Sequence, residues 1–248
     1  MPNNFTKHGI THLSPSSVNK FADAPDAWVA QYLFGKKFTF SPAARGGTMV
    51  EQGVVRVLSG EDRQAVIEDT LKEYRKSVAF DASSKAEKWK ETIDPMINLA
   101  VDELLKYGVP EFEEDGSQKK IGIACNMGEY VVPITGFTDL DYPQHNLVVD
   151  LKCTQKCPSE MSKAHLRQAA IYKAATGRDI KFLYVTGKKT QWFDVVDTSG
   201  ILAEFKSIVS RMNALLALDK ETIKDIVPVI DSFYWHDDMA MRKEFYGL

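Results

Sequence analysis

Residues 136–153 read GFTDLDYPQHNLVVDLKC, and this stretch decides the fold. Two strand-like runs flank the turn-rich interval Tyr142-Pro143-Gln144-His145-Asn146, the pattern of a hairpin with a loop of several residues. Pairing centred between Gln144 and His145 sets Asp139 opposite Asp150. Two like charges facing each other destabilise a sheet; at about 4 Å and an effective dielectric near 20 the repulsion is on the order of 4 kcal/mol. Such a pair implies a bound cation or a raised pKa. Lys152 shares the face of Asp150 because side chains alternate along a strand, while Leu151 points the opposite way, into a core. Two carboxylates, an ammonium and the Leu151 backbone carbonyl form a hard oxygen set suited to Mg²⁺ or Mn²⁺ rather than zinc. Asp141 has the parity of Asp139 and is a substitute for it. A surface salt-bridge cluster is the competing reading. Against it, Val148, Val149 and Leu151 make the second strand apolar on both sides, as in a buried central strand where an unpaired charge is costly.

Outward from the hairpin, the strand-rich runs are Lys120 to Cys125, Tyr130 to Asp141, Leu147 to Cys153, Ile180 to Thr186 and Gln191 to Val196. A helical stretch from about Ser159 to Ala175, stopped by Gly177, separates the third from the fourth and gives the strand-helix-strand order of a crossover. The first 110 residues read as mostly helical. Ser14-Pro15 starts a helix to about Ala22, and Asp26 to Phe34 forms a second. A third runs from Thr48 to Leu58 after Gly46-Gly47, and two longer ones cover Glu61 to Val78 and Ser83 to Tyr107, the latter interrupted at Pro95. Helices over Ile201 to Leu218 and Asp237 to Phe245 finish the chain. The expected organisation is one domain over 1–248: a helical part (1–110), a sheet core (111–196) and C-terminal helices (197–248).

Two helix faces add candidates. Glu51 shares a stripe with Val54, Val55 and Leu58, so it lies on a core-facing surface near a helix N-terminus. A third metal ligand and an edge-of-core carboxylate both fit. His165, Gln168 and Tyr172 line one face of the helix after Pro158; they suit either contacts to a phosphate, a base or Lys152, or ordinary core packing.

Taken in order, LSPSSVNKFADAP (13–25), GTMVEQGV (47–54), GFTDLD (136–141), VVDLK (148–152) and QAAIY (168–172) resemble the RecB-like branch of the PD-(D/E)XK nuclease superfamily over about Leu13 to Thr186. The resemblance implies an α/β, restriction-endonuclease-like core: a central mixed β-sheet flanked by helices, with a helical N-terminal region. It implies a divalent-metal-dependent DNA nuclease, most often an exonuclease. Asp139 and Asp150 would hold Mg²⁺ or Mn²⁺ together with Glu51 and the Leu151 carbonyl, and Lys152 would activate water or stabilise the phosphate. Gln168 and Tyr172 match the QxxxY motif that positions DNA and the lysine; Arg167, Ser14 and Ser16 complete the substrate-binding candidates. Glu51 stands where RecB-like members commonly carry histidine and phage lambda-type exonucleases carry glutamate. The early Cys-Pro pair of iron-sulfur relatives is here Ala24-Pro25, and no cysteine follows Cys157, so no iron-sulfur cluster is expected. Cys125, Cys153 and Cys157 lack a clear fourth ligand for zinc. A helicase P-loop is also missing from the sequence.

Composition sets the remaining bounds. The 248 residues carry a net charge of −3 with 44% hydrophobic and 26% charged residues, which excludes a disordered or fibrous chain. Three cysteines point to a reducing, cytoplasmic setting, and no apolar run reaches membrane-spanning length. The small negative total hides an asymmetry. Between Lys152 and Lys189 nine basic residues face two acidic ones, so this segment carries +7 and the remainder −10. A basic region beside the acidic set is what phosphate contacts require. DNA is the expected partner, with a single-strand-annealing or recombination protein and a homo-oligomer as further expectations. A catalytically silent DNA-binding module, a structure-specific endonuclease, a different phosphoryl-chemistry enzyme and a structural protein are the alternatives.

Overall fold

The structure, a computed structural model, describes residues 3–81, 83–113, 120–123, 132–227 and 232–247. A short helix α1 (Asn4–Lys7) precedes α2 (Pro15–Asp23), α3 (Pro25–Trp28, continued as a π-helix over Val29–Leu33), α4 (Pro42–Leu58), α5 (Arg63–Ser77) and α6 (Ser84–Leu104). The sheet region holds β1 (Lys120–Ile123), β2 (Ile134–Phe137), β3 (Leu140–Tyr142), β4 (Leu147–Cys153), α7 (Lys163–Thr176), β5 (Asp179–Val185) and β6 (Thr190–Asp194). Helices α8 (Ser199–Leu215), α9 (Lys220–Ile226) and α10 (Met239–Tyr246) follow.

Strands β3-β4-β5-β6 form a mixed sheet: β3 and β6 are antiparallel to their neighbours, and β4 and β5 are parallel, joined through α7. β1 and β2 pair separately. The hairpin has the expected register. Leu140 pairs with Val149, Asp141 with Val148 and Tyr142 with Leu147, so Asp139 and Asp150 are the next opposed positions. Asn146, at φ 49, turns the chain into β4 in a left-handed conformation that asparagine tolerates.

Alternation along β4 divides two cores. Val148 packs with Phe182, Tyr184 and Tyr172 among helices α2, α7 and α8, whereas Leu147, Val149 and Leu151 pack with α4 and α6 on the other side. Asp150 and Lys152 therefore face α7. A third cluster joins Trp235 and Phe245 to Ala24, Ala27 and Ala30. None of the helices among the described residues is long and apolar enough to cross a membrane.

Two helix expectations need correction. Helix α4 begins six residues before Thr48, because Ser41 caps it with its side chain and Pro42 takes the first position. Gly46 and Gly47 lie inside the helix. A Cβ on Gly46 would sit 2.5 Å from Trp89 Cε3, so this glycine permits close packing of α4 on α6. Pro95 does not interrupt α6, where Ile93, Met96, Ile97, Ala100 and Val101 are buried on either side of it and bind that face to the core. Cys125 and part of the run from Tyr130 fall outside the described residues.

Candidate active site

At the end of the hairpin the chain bends at Asp139, and the carboxylate turns inward to accept the Leu151 N–H at 2.8 Å. N–H and C=O of one strand residue leave on the same side, so the Leu151 carbonyl also faces the region of Asp139 beyond the end of β3. Asp150 is fully buried. The Lys152 ammonium lies 2.5 Å from its Oδ1, and Gln168 Nε2 donates to its Oδ2 at 2.7 Å. The same amide nitrogen donates to the Tyr172 hydroxyl at 2.9 Å, which donates to the Phe137 carbonyl at 2.7 Å. One chain of hydrogen bonds thus ties β4 through α7 to β2, two residues before Asp139.

Burial raises both aspartates above the usual carboxylate range. Asp139 is raised further by the charges of Asp150 and Glu51 and is only partly relieved by Lys152 and the Leu151 N–H. For Lys152 burial favours the neutral amine, but Asp150 and Asp139 outweigh it and hold the ammonium above its ordinary range. Two buried carboxylates and one cation leave an excess of negative charge. Asp150 Oδ1 has no hydrogen bond besides its ion pair. This oxygen set fits a hard divalent cation.

Glu51 reaches the site from the opposite helix layer. Its charge raises Asp139 and also, after burial, the Cys153 thiol at the end of β4. It does not close a ligand set, since among the described residues no group of three His, Cys, Asp or Glu side chains could hold a metal ion. Asp141 is committed elsewhere, paired with Arg178 and bridged to Glu111 through its backbone.

Arg167 departs from the expected substrate contact. It is buried, and its guanidinium donates to Asn19 at 3.0 Å and Glu204 at 2.9 Å, joining α7 to α2 and α8. Ser14 accepts from the Ser17 N–H as the cap of α2, and its hydroxyl meets that of exposed Ser16 at 2.9 Å. The +7 segment is likewise not all free charge, for Lys181 pairs with Asp194 at 3.1 Å and Lys173 with Asp179 at 3.6 Å. Lys156, Lys163 and Lys189 line a cavity of about 810 Å³ beside His165 and Tyr184. His165 hydrogen-bonds Tyr184 and stacks on Phe182, with ring centroids 5.6 Å apart. Of the two rings suited to base stacking, Tyr184 is buried and Trp192 is partly buried against the core beside α4 and α6, donating to Glu103 at 3.2 Å.

A family model for the PD-(D/E)XK nuclease superfamily matches residues 12–224. The chain belongs to this superfamily. The match takes in every residue of the site just described, and the mixed sheet flanked by helices is the restriction-endonuclease-like α/β fold. Nucleases of the superfamily use divalent metal ions, and DNA is the substrate that membership implies. No curated protein matches the chain. Among solved structures, the crystal structure of SSO0001 is similar over 67% of this chain and 86% of its own length, at 16% identity and a TM-score of 0.37.

Proposed function

We propose that this chain is a Mg²⁺- or Mn²⁺-dependent deoxyribonuclease that works from DNA ends. The observation carrying the proposal is the pairing of Lys152 with fully buried Asp150 on β4, locked by Gln168 from α7. Superfamily membership supports nuclease chemistry. Asp139, Asp150 and the Leu151 carbonyl would hold the metal, with Glu51 as the further oxygen donor available from α4. Bound there, a divalent ion supplies Lewis acidity toward a water and a phosphate oxygen.

The chain's own residues do the rest. Gln168 keeps the Asp150 carboxylate in one orientation, and the Leu151 N–H does so for Asp139. Lys152 is held as an ammonium, so it contributes charge to the pentavalent phosphate rather than accepting a proton. Lys156, Lys163 and Lys189 offer phosphate contacts along the adjoining cavity. Action at ends, membership of the RecB-like branch, and service in phage or mobile-element recombination beside an annealing protein, with or without self-assembly, rest on the motif resemblance.

A catalytically silent DNA-binding module is the second reading, favoured by the absence, among the described residues, of three acidic side chains grouped as a metal-binding set. Digestion of end-labelled linear and covalently closed circular DNA in Mg²⁺, Mn²⁺ or EDTA, with the parent protein and Lys152→Ala, separates the two. Metal-dependent loss of the linear substrate alone, abolished by Lys152→Ala, is the expected result. Intact DNA in every metal supports the silent module, and cleavage of the circle supports an endonuclease.

A further inference from the structure

Two cavities of about 610 and 700 Å³ share the walls Ser41, Phe233 and Asp237 and form one groove across the N-terminal end of α4. The second cavity is also lined by Gln155, three residues beyond Lys152, so the groove begins where β4 leaves the candidate active site. Its lining carries Lys20, Lys36, Lys37, Lys85 and Lys88 against Asp81 and Asp237, a net positive surface on a chain of net charge −3. Two large apolar rings stand open in it: Phe40 is 71% exposed and Phe233 is 73% exposed. Phe233 rests on Tyr234 with ring centroids 4.1 Å apart, and the Lys20 ammonium sits 4.8 Å from the Tyr234 ring and 4.4 Å from Phe38. Phe233 is thus braced by Tyr234, while it and Phe40 remain largely open to solvent.

Open aromatic faces interleaved with lysines are the chemistry that binds unpaired nucleotides, bases stacking on rings and phosphates lying against ammonium groups. A duplex has its bases stacked on one another and makes no use of Phe40 or Phe233. We infer that this groove is a single-strand DNA track, which receives the unpaired strand of a DNA end on the far side of Gln155 from Lys152. The inference rests on the nuclease reading for its biological sense, but binding can be measured without cleavage.

The test is fluorescence anisotropy of a labelled 15-nucleotide DNA, a blunt duplex and an RNA of the same sequence, all in EDTA. The proteins compared are the parent, Phe40→Ala/Phe233→Ala and Lys37→Glu/Lys88→Glu. The aromatic double variant is expected to bind the single strand at least about tenfold more weakly, with blunt-duplex affinity and thermal midpoint unchanged. The lysine variant, which alters only exposed side chains, is expected to flatten the salt dependence by roughly 0.7 for each phosphate it no longer neutralises. Parent-like single-strand affinity in both double variants overturns the track and leaves the exposed rings to protein docking. An equal weakening on blunt duplex, or tighter binding of the RNA, also overturns it. If the parent cleaves nothing in any metal yet the double variants bind the single strand more weakly, the nuclease reading fails while the track stands.

Discussion

The Lys152 ammonium lies 2.5 Å from Asp150 Oδ1, on a carboxylate with no solvent exposure. Removing the cation leaves Asp150 with only Gln168 to offset its burial, and the carboxyl then favours its protonated form. Lys152→Ala is expected to lower DNA cleavage by at least about 10²-fold while retaining the fold, checked by nuclease rate and circular dichroism on the same preparation. A folded variant that cleaves at the parent rate removes Lys152 from the chemistry.

Burial raises Asp139 and Asp150 above the value near 3.8 of an aspartate in an unfolded chain. Their contribution to stability is therefore fully present below that value and declines as pH rises through the folded-state pKa values. Asp139→Asn keeps an acceptor for the Leu151 N–H and removes the repulsion from Asp150 and Glu51. Without metal near neutral pH, it is expected to melt a few degrees above the parent, at about 2–4 °C per kcal/mol for a chain of this size. Saturating Mn²⁺ should raise the parent's midpoint, a gain of about 2.7 kcal/mol at one hundred times Kd, and leave the variant's nearly unmoved. Thermal scans in EDTA and Mn²⁺ across the pH range decide this; a variant less stable than the parent in EDTA contradicts the electrostatic account.

His165 is pushed down to about 4 by burial and, to a smaller degree, by the Lys152 charge. Between that value and the ordinary 6.5 the unfolded imidazole is protonated and the folded one is not, so this residue subtracts stability as pH falls through the window. Its imidazole resonances are expected to stay those of a neutral ring down to about pH 4, and to titrate higher in Lys152→Ala yet still below 6.5 because burial remains. Nuclear magnetic resonance titration of both proteins gives the answer.

Gly46→Ala places a methyl group 2.5 Å from Trp89 Cε3. Overpacking of this kind costs about 1–3 kcal/mol, and it displaces the helix that carries Glu51. The variant is expected to melt several degrees lower and to cleave more slowly, whereas Gly60→Ala, with no atom within 4 Å but φ +102, should affect stability through backbone strain and spare cleavage. Equal loss of activity in the two variants would show that position 46 acts through stability alone.

The hairpin was legible because its information is local. A short turn with Pro143 and Asn146 sets the register, and alternation then sends Leu151 to one core and Asp150 with Lys152 to the other face. The QxxxY spacing was legible for the same reason, since one helix face carries both residues toward Asp150. What could not be read depends on distant partners. Gly46-Gly47 resembles a helix breaker until Trp89 of α6 is placed against it. Arg167 reads as free charge until Asn19 and Glu204 enclose it. Phe40 and Phe233, separated by most of the chain, give no local sign that they border one groove; only the unusual exposure of both rings reveals it.

Asp26, in α3, is fully buried, and its Oδ2 accepts the Trp235 indole N–H at 2.7 Å, from 209 positions further along the chain. The Tyr246 hydroxyl donates to the Asp26 backbone carbonyl at 2.8 Å. During translation the early helices leave the ribosome long before these donors exist, and a carboxylate destined for the interior must stay hydrated until they arrive. This contact cannot close until Trp235 has been made. Phe233, two residues before that indole, is set in place by the same late event, so a nascent chain would bear the acidic hairpin before it had a finished path for a DNA strand.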